Sequence, residues 1–181
     1  HGLDLGINFF DTAIAYQSGT SEQYLGRALR DFAKRDEVVV ATKFLPRTNE
    51  EIEAGISGQE HIRRMLDKSL QNLGMDYVDL YLLHQPYGDV AGAWKALEEA
   101  KAAGEVRSIG VSNMTPKIWK EFVPRFRTLP AVNQVECNPF FQQRELRELL
   151  AKDDVKIEAY QPLGHGDSSL LSHPVIAKLA E

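Results

Sequence analysis

The sequence predicts an α/β fold built around a parallel β-sheet, on three observations. Segments with the composition of strands alternate with segments of helical periodicity along the 181 residues, an alternation typical of parallel strands joined by right-handed helical crossovers. Several strand-like segments are apolar at nearly every position, as strands covered on both faces are. Apolar residues make up 43% of the chain, which is enough for one hydrophobic core, and no linker-like stretch divides it. We therefore expect a single domain over residues 1–181, with either an open, doubly wound sheet or a closed (β/α) barrel.

Six segments have the composition of strands, with apolar and β-branched residues bounded by turn-forming ones. They comprise residues 7–10, 38–44, 77–84, 106–111, 131–137 and 156–160. The polar stretch 48–57 follows the second strand and is predicted to be an insertion.

Helix-like segments separate these strands. Ser21 is the expected N-cap of the first helix, whose apolar residues recur on one face as far as Phe32. Ser57 and Glu60 form an S-x-x-E capping-box pattern at the start of the second helix, and Gly74 is its expected end. Three further helices are predicted over residues 93–103, 116–126 and 142–150.

The overall charge and the cysteine count narrow the function classes. A formal net charge of −5 without any block of like charges argues against a nucleic-acid or anionic membrane surface as partner. Cys137 is the only cysteine, which excludes an internal disulfide and is typical of a reducing compartment, so we expect a cytoplasmic protein. No apolar run approaches the roughly 20 residues that a membrane-spanning helix needs. The chain begins at His1 rather than Met, and we expect further sequence upstream.

Polar side chains stand at the ends of the predicted strands. In a barrel of parallel strands the carboxyl ends open onto one face, where such proteins carry their active sites. We therefore expect these residues to share a pocket. They are Asp11, Lys43, His84, Ser112, Asn113, Gln134 and Tyr160.

Four ionisable residues form the most informative candidate group. A free phenol titrates near pH 10 and is a poor proton donor at neutral pH, but a nearby ammonium stabilises the phenolate form. Lys43 could act in this way on Tyr16, and Asp11 could hold Lys43 charged and oriented. His84 could hydrogen-bond an oxygen on which negative charge develops. Together these groups predict a site that donates a proton to a carbonyl oxygen.

The same segments resemble those of a known family. "FFDTAIAY", "VATKF", "DLYLLHQP", "SIGVSN", "VNQVECNPF" and "EAYQPLG" are similar to the successive motifs of the aldo-keto reductases. The second half of the chain is most similar to the bacterial 2,5-diketogluconate-reductase-like members. The resemblance implies a (β/α)8 TIM barrel that binds NADPH in an extended pose, and the sequence has no G-x-G-x-x-G pattern of a Rossmann fold.

The resemblance also implies roles for individual residues. Asp11, Tyr16, Lys43 and His84 match the family's catalytic tetrad, with Tyr16 as the proton donor in the reduction of small aldehydes, ketones or keto-sugars. Eight residues match cofactor-binding positions. Ser112, Asn113 and Gln134 correspond to contacts with the nicotinamide carboxamide, Tyr160 to the ring that stacks on the nicotinamide, and Gln161, Pro162, Leu163 and Gly164 to the loop along the pyrophosphate. NADH stays open as an alternative to NADPH.

The chain departs from the family pattern in its pocket and in its length. Many members have Trp where this chain has Gln85, and an aromatic residue where it has Leu45 and Pro46, so the substrate is not fixed by analogy. About six β/α units are present where a closed barrel has eight. We expect the first strand and the C-terminal units to lie outside this sequence, which would leave two open sheet edges and weak cofactor binding by this piece alone.

Two other functions are alternatives to carbonyl reduction. A regulatory subunit that binds the cofactor as a sensor with little turnover is compatible with the same residues. A metal-dependent hydrolase is disfavoured because His61, His165 and His173 lack the spacing of metal ligands, and we predict no metal site. Among the remaining chemically distinctive residues, Cys137, Trp94 and Trp119 are interpreted as packing residues.

Overall fold

Six parallel strands form one curled sheet, a half-barrel in which each strand pairs with the next one along the chain. The computed structural model describes residues 1–180. The strands are β1 (Phe9–Asp11), β2 (Val39–Phe44), β3 (Val78–Leu83), β4 (Val106–Ser112), β5 (Val132–Glu136) and β6 (Lys156–Tyr160). An open, doubly wound sheet reverses its strand order at a switch point, and the strictly sequential order here excludes that alternative. The prediction of an incomplete barrel with six units is confirmed.

Within residues 1–180, eight α-helices follow or flank the strands. They are α1 (Thr20–Phe32), α2 (Asn49–Glu53), α3 (Gly58–Leu73), α4 (Val90–Ala102), α5 (Pro116–Phe122), α6 (Arg144–Lys152), α7 (Ser168–Leu171) and α8 (Pro174–Ala180). Within residues 1–180 the structure contains no helix with the length and apolar character needed to span a bilayer.

The start of α1 differs from the prediction. The helix begins at Thr20, directly after Gly19, which has a left-handed φ of 88°. The glycine starts the helix two residues earlier than a Ser21 cap would allow. Ser21 therefore lies within the helix, and its hydroxyl is 2.9 Å from that of Thr12 in the loop after β1.

The predicted capping box at α3 is only half formed. The Ser57 hydroxyl accepts a hydrogen bond from the Glu60 backbone N–H at 3.1 Å, but the Glu60 carboxylate bonds Arg64 instead. A complete capping box occurs within the predicted insertion, between Thr48 and Glu51, and it starts the short helix α2.

The main core lies between the outer face of the sheet and the helices. Trp94 is buried there, stacks on Phe126 at 4.5 Å between ring centroids, and donates its indole N–H to the Thr128 carbonyl. Trp119 is also buried, which confirms both tryptophans as packing residues. Cys137 is only half-buried, because it follows the end of β5 and so lies at the rim of the sheet.

Helices α1 and α3 touch through a glycine, which gives a test of the packing. A Cβ atom added at Gly26 would lie 2.0 Å from the backbone oxygen of Leu73. We expect Gly26→Ala to lower the free energy of unfolding by about 3 kcal/mol, because the helices must separate to admit a methyl group. Urea denaturation measures this. Gly2→Ala, whose Cβ would meet its nearest neighbour at 3.5 Å, is the control, and equal stability of the two variants would contradict the predicted contact.

Candidate active site

The ends of β1 and β2 bring a lysine and an aspartate together on the inner face of the sheet. The Lys43 side chain is completely buried, and its Nζ donates to Asp11 Oδ2 at 2.5 Å and to the Thr12 carbonyl oxygen at 2.8 Å. Strand alternation explains this placement, because the preceding residue, Thr42, points to the helix side, where it bonds Glu22. The buried ammonium thus has a counter-charge and a second acceptor, as a buried charge requires.

Tyr16 lies over this ion pair in the loop that follows β1. The centroid of its ring is 5.2 Å from Lys43 Nζ, and the side chain is 42% exposed. The ring meets that of His84 edge to face, with centroids 5.6 Å apart and an interplanar angle of 78°. The two residues after Tyr16 have positive φ angles, 46° at Gln17 and 54° at Ser18, and such strained conformations concentrate at functional sites. The structure therefore brings the four ionisable candidates into one cluster.

His84 occupies the position just after β3 and is held by its backbone. Its N–H donates to the Phe44 carbonyl at 2.9 Å, and its own carbonyl accepts from the Asn113 side chain at 3.1 Å. Burial lowers the pKa of His84, the charge of Lys43 lowers it further, and Asp11 opposes them. The imidazole is thus neutral at pH 7 and can offer one ring N–H as a hydrogen-bond donor.

The candidate cofactor residues of β4, β5 and β6 form a connected row beside this cluster. The Ser112 hydroxyl donates to the Gln134 carbonyl at 2.9 Å. Asn113, with a positive φ of 61°, donates its amide to Ser112 Oγ at 3.1 Å and accepts from the Tyr160 hydroxyl at 2.9 Å. Gln134 donates its own amide to Glu158 at 2.5 Å. This row links the backbone of His84 to the Tyr160 ring.

The predicted pyrophosphate loop directly follows Tyr160. Gln161 and Gly164 have positive φ angles and Leu163 is exposed. In the described part of the chain, the Gln161 side chain forms no hydrogen bond with the other candidate residues. A cavity of about 660 Å³ is lined by Asn113, by Tyr160 and by residues at the starts of α5 and α6.

Two carboxylates near the site were missed by sequence reasoning. Glu22 is completely buried on α1 and accepts hydrogen bonds from Thr42 Oγ1 at 2.7 Å and Asn72 Nδ2 at 2.8 Å. Its position on the apolar face of α1 is the feature of the sequence that indicates its burial. Glu158 precedes Tyr160 by two residues, so strand alternation places both side chains on the same face of β6.

One of the positions that depart from the family pattern, Leu45, contacts a buried histidine. His61 of α3 contacts the Leu45 carbonyl at 2.8 Å and Glu51 of α2 at 3.0 Å, so it fastens the end of β2 to two helices. Pro46 is buried and Gln85 is half-buried. Over residues 1–180, no three His, Cys, Asp or Glu side chains are grouped as ligands for a metal ion.

A polar cluster at the carboxyl ends of parallel strands in a half-barrel defines the class of (β/α)-barrel proteins whose sites lie on that face. The model of the Aldo/keto reductase family matches residues 1–171, and the chain belongs to that family.

Individual relatives agree with this assignment. The 2,5-diketo-D-gluconic acid reductase B of Corynebacterium sp. is 37% identical, over 98% of this chain and 61% of its own. The crystal structure of an aldo/keto reductase from Brucella melitensis has 34% identity and a TM-score of 0.83, over 99% of this chain and 65% of that one. A Gox0644 mutant in complex with NADPH has 34% identity and a TM-score of 0.81, over 99% and 61%. The chain therefore spans less than two thirds of the length of these relatives.

Proposed function

We propose that this chain carries the catalytic site of an NADPH-dependent reductase of small aldehydes, ketones or keto-sugars. The observation that carries the proposal is the cluster in which Tyr16 lies over the ion pair between the buried Lys43 and the partly exposed Asp11, and against the imidazole of His84. The Tyr16 side chain is 42% exposed, whereas Lys43 is completely buried and His84 is half-buried, which suits the group that must reach a substrate oxygen.

In this proposal Tyr16 and His84 act on the carbonyl oxygen of the substrate, and Lys43 and Asp11 act through Tyr16. NADPH, when bound, supplies the hydride that adds to the carbonyl carbon. The carbonyl π electrons move to the oxygen, which takes the proton of the Tyr16 hydroxyl and becomes an alcohol. The ammonium of Lys43 stabilises the phenolate that remains, and Asp11 keeps that ammonium charged. The His84 ring N–H donates a hydrogen bond that orients the oxygen.

The polar row beside the cluster suits a nicotinamide carboxamide. Ser112 and Asn113 offer hydroxyl and amide groups at the end of β4, Gln134 offers an amide within β5, and the Tyr160 hydroxyl donates a hydrogen bond to Asn113. An aromatic ring for stacking, with amide groups that can both donate and accept hydrogen bonds, matches nicotinamide, a planar ring that carries one carboxamide. We assign these residues, with the loop from Gln161 to Gly164, to cofactor binding.

A direct assay of NADPH oxidation tests the proposed function. We expect the purified full-length protein to bind NADPH, and to oxidise it only when an aldehyde, a keto-acid or a keto-sugar from a test panel is added. The loss of reduced-nicotinamide absorbance measures turnover, and NADH in parallel measures cofactor preference. A folded protein that is saturated with NADPH and inert towards the whole panel would contradict the proposal and favour the role of a cofactor sensor.

A further inference from the structure

Glu158 is a carboxylate of the candidate site that the proposed mechanism does not use. Gln134 pairs in register with Ser112 on one side and with Glu158 on the other, so Glu158 belongs to the row of candidate cofactor residues. Its Oε1 atom accepts from Gln134 Nε2 at 2.5 Å. Its Oε2 atom is buried and has no hydrogen-bond partner among the described residues.

The contact between Glu158 and Gln134 selects one rotation of the glutamine amide. An ionised carboxylate can only accept hydrogen bonds, whereas an amide donates from its nitrogen and accepts at its oxygen. Glu158 must therefore face the nitrogen of Gln134, which leaves Gln134 Oε1 to point away from β6. A neutral donor at position 158 would permit the opposite rotation equally well.

We propose that Glu158 is a positioning residue that fixes the Gln134 amide with its oxygen towards the cofactor, so that Gln134 accepts a hydrogen bond from the nicotinamide carboxamide NH2. This inference rests on the proposed function, because it concerns the same cofactor site. Glu158 thereby favours a cofactor that carries a carboxamide. It acts through Gln134 and does not itself touch the reacting atoms.

The charges around Glu158 give the inference a pH dependence. Burial raises the pKa of Glu158, the Gln134 hydrogen bond opposes this, Asp11 on β1 raises it further, and Lys43 on β2 lowers it. Glu136 on the neighbouring strand accepts from Asn138, and Lys156 on the same strand pairs with Asp154. As the pH falls through the raised pKa, Glu158 gains a proton and becomes a possible donor, and its hold on the amide rotation is lost.

Cofactor analogues test this inference without requiring turnover. The 3-acetylpyridine analogue of NADP+ has a methyl ketone in place of the carboxamide and so lacks the NH2 donor. We expect the wild-type protein to bind NADP+ about tenfold more tightly than the analogue at neutral pH, since the analogue leaves the Gln134 oxygen unpaired. In Glu158→Gln this preference should fall to about twofold, because either rotation of Gln134 is then allowed.

Three comparisons separate positioning from a general structural effect. Lys156→Gln, an exposed change on the same strand, should keep the wild-type preference, and Glu158→Asp should retain part of it. In the wild-type protein the preference should decline as the pH is lowered through the raised pKa of Glu158, and in Glu158→Gln it should be independent of pH. Isothermal titration calorimetry measures the affinities of the wild-type protein and the three variants for NADP+ and for the analogue.

The outcomes distinguish this inference from the proposed function. A tenfold preference that survives in Glu158→Gln would overturn the inference and leave the proposed function standing. If that variant does not fold, a wild-type preference that stays constant as the pH falls would overturn it equally. A wild-type protein that binds neither NADP+ nor the analogue would contradict both, and the carbonyl-reduction assay would confirm that result separately.

Discussion

Replacement of Tyr16 by Phe should reduce kcat by about 100- to 10,000-fold, the range that a positioned proton donor contributes. The change removes one hydroxyl and preserves the ring that contacts His84 and lies over Lys43. The affinity for NADPH should therefore stay within about twofold of the wild-type value, because the Lys43–Asp11 ion pair and the packing of the ring are both kept. Steady-state kinetics measures the first quantity, and quenching of protein fluorescence by NADPH measures the second.

A matched change elsewhere isolates the role of the hydroxyl group. Tyr24 is an exposed tyrosine on α1, and Tyr24→Phe should leave both kcat and cofactor affinity unchanged. If Tyr16→Phe retained half of the wild-type turnover, the proton would have to come from another group, and the assignment of Tyr16 as donor would be wrong.

The candidate site could be located from the sequence because strand geometry is local. The polar residues Asp11 and Lys43 interrupt apolar runs at strand ends, and Gln134 lies within β5 beside the end of β4. Parallel strands present their carboxyl ends on one face. The two-residue alternation of a strand then decides that Lys43 points inward while Thr42 bonds Glu22 on the helix side. No more than the order of the strands was needed to group these side chains.

Features that depend on partners distant in sequence were missed. Glu22 is buried because Asn72, 50 residues away, satisfies one of its oxygens, whereas a lone glutamate on a helix is ordinarily exposed. Glu158 meets Gln134 only through the register of β5 and β6. The start of α1 was placed at a plausible serine cap because the left-handed turn at Gly19 has no unique sequence signal. Periodicity therefore predicts which face of an element a residue occupies, but not which polar groups form its hydrogen bonds.

Replacement of Lys43 by Met should impair both stability and turnover. The side chain is completely buried and holds the Asp11 carboxylate, so the change leaves a partly buried charge without its partner. Breaking such a pair costs about 3 kcal/mol, and urea denaturation should show a loss of that size. The absence of the ammonium should also lower kcat by at least about 100-fold, because the Tyr16 phenolate would form without a neighbouring positive charge.

A second substitution separates these two effects. In the double variant Asp11→Asn with Lys43→Met, no unpaired charge remains, and the stability should return to within about 1 kcal/mol of wild type. The turnover should not recover, because the charge that assists Tyr16 is still absent. Lys156→Met removes an exposed partner of Asp154 and is the control, with an expected loss below about 1 kcal/mol. Recovery of kcat in the double variant would show that Lys43 is only structural.

The titration of His84 reports directly whether the field of Lys43 reaches the site. Burial is the main cause that lowers the pKa of His84, and Lys43 is the second, with Asp11 acting against both. In Lys43→Met the cation is gone while Asp11 keeps its charge, so the imidazolium is favoured and the pKa of His84 should rise. In the double variant with Asp11→Asn it should rise less, since the opposing carboxylate is also removed. NMR titration of the imidazole resonances measures both changes. An unchanged His84 titration in Lys43→Met would mean that the ammonium does not polarise the groups around it, and the same field could then not assist proton transfer from Tyr16.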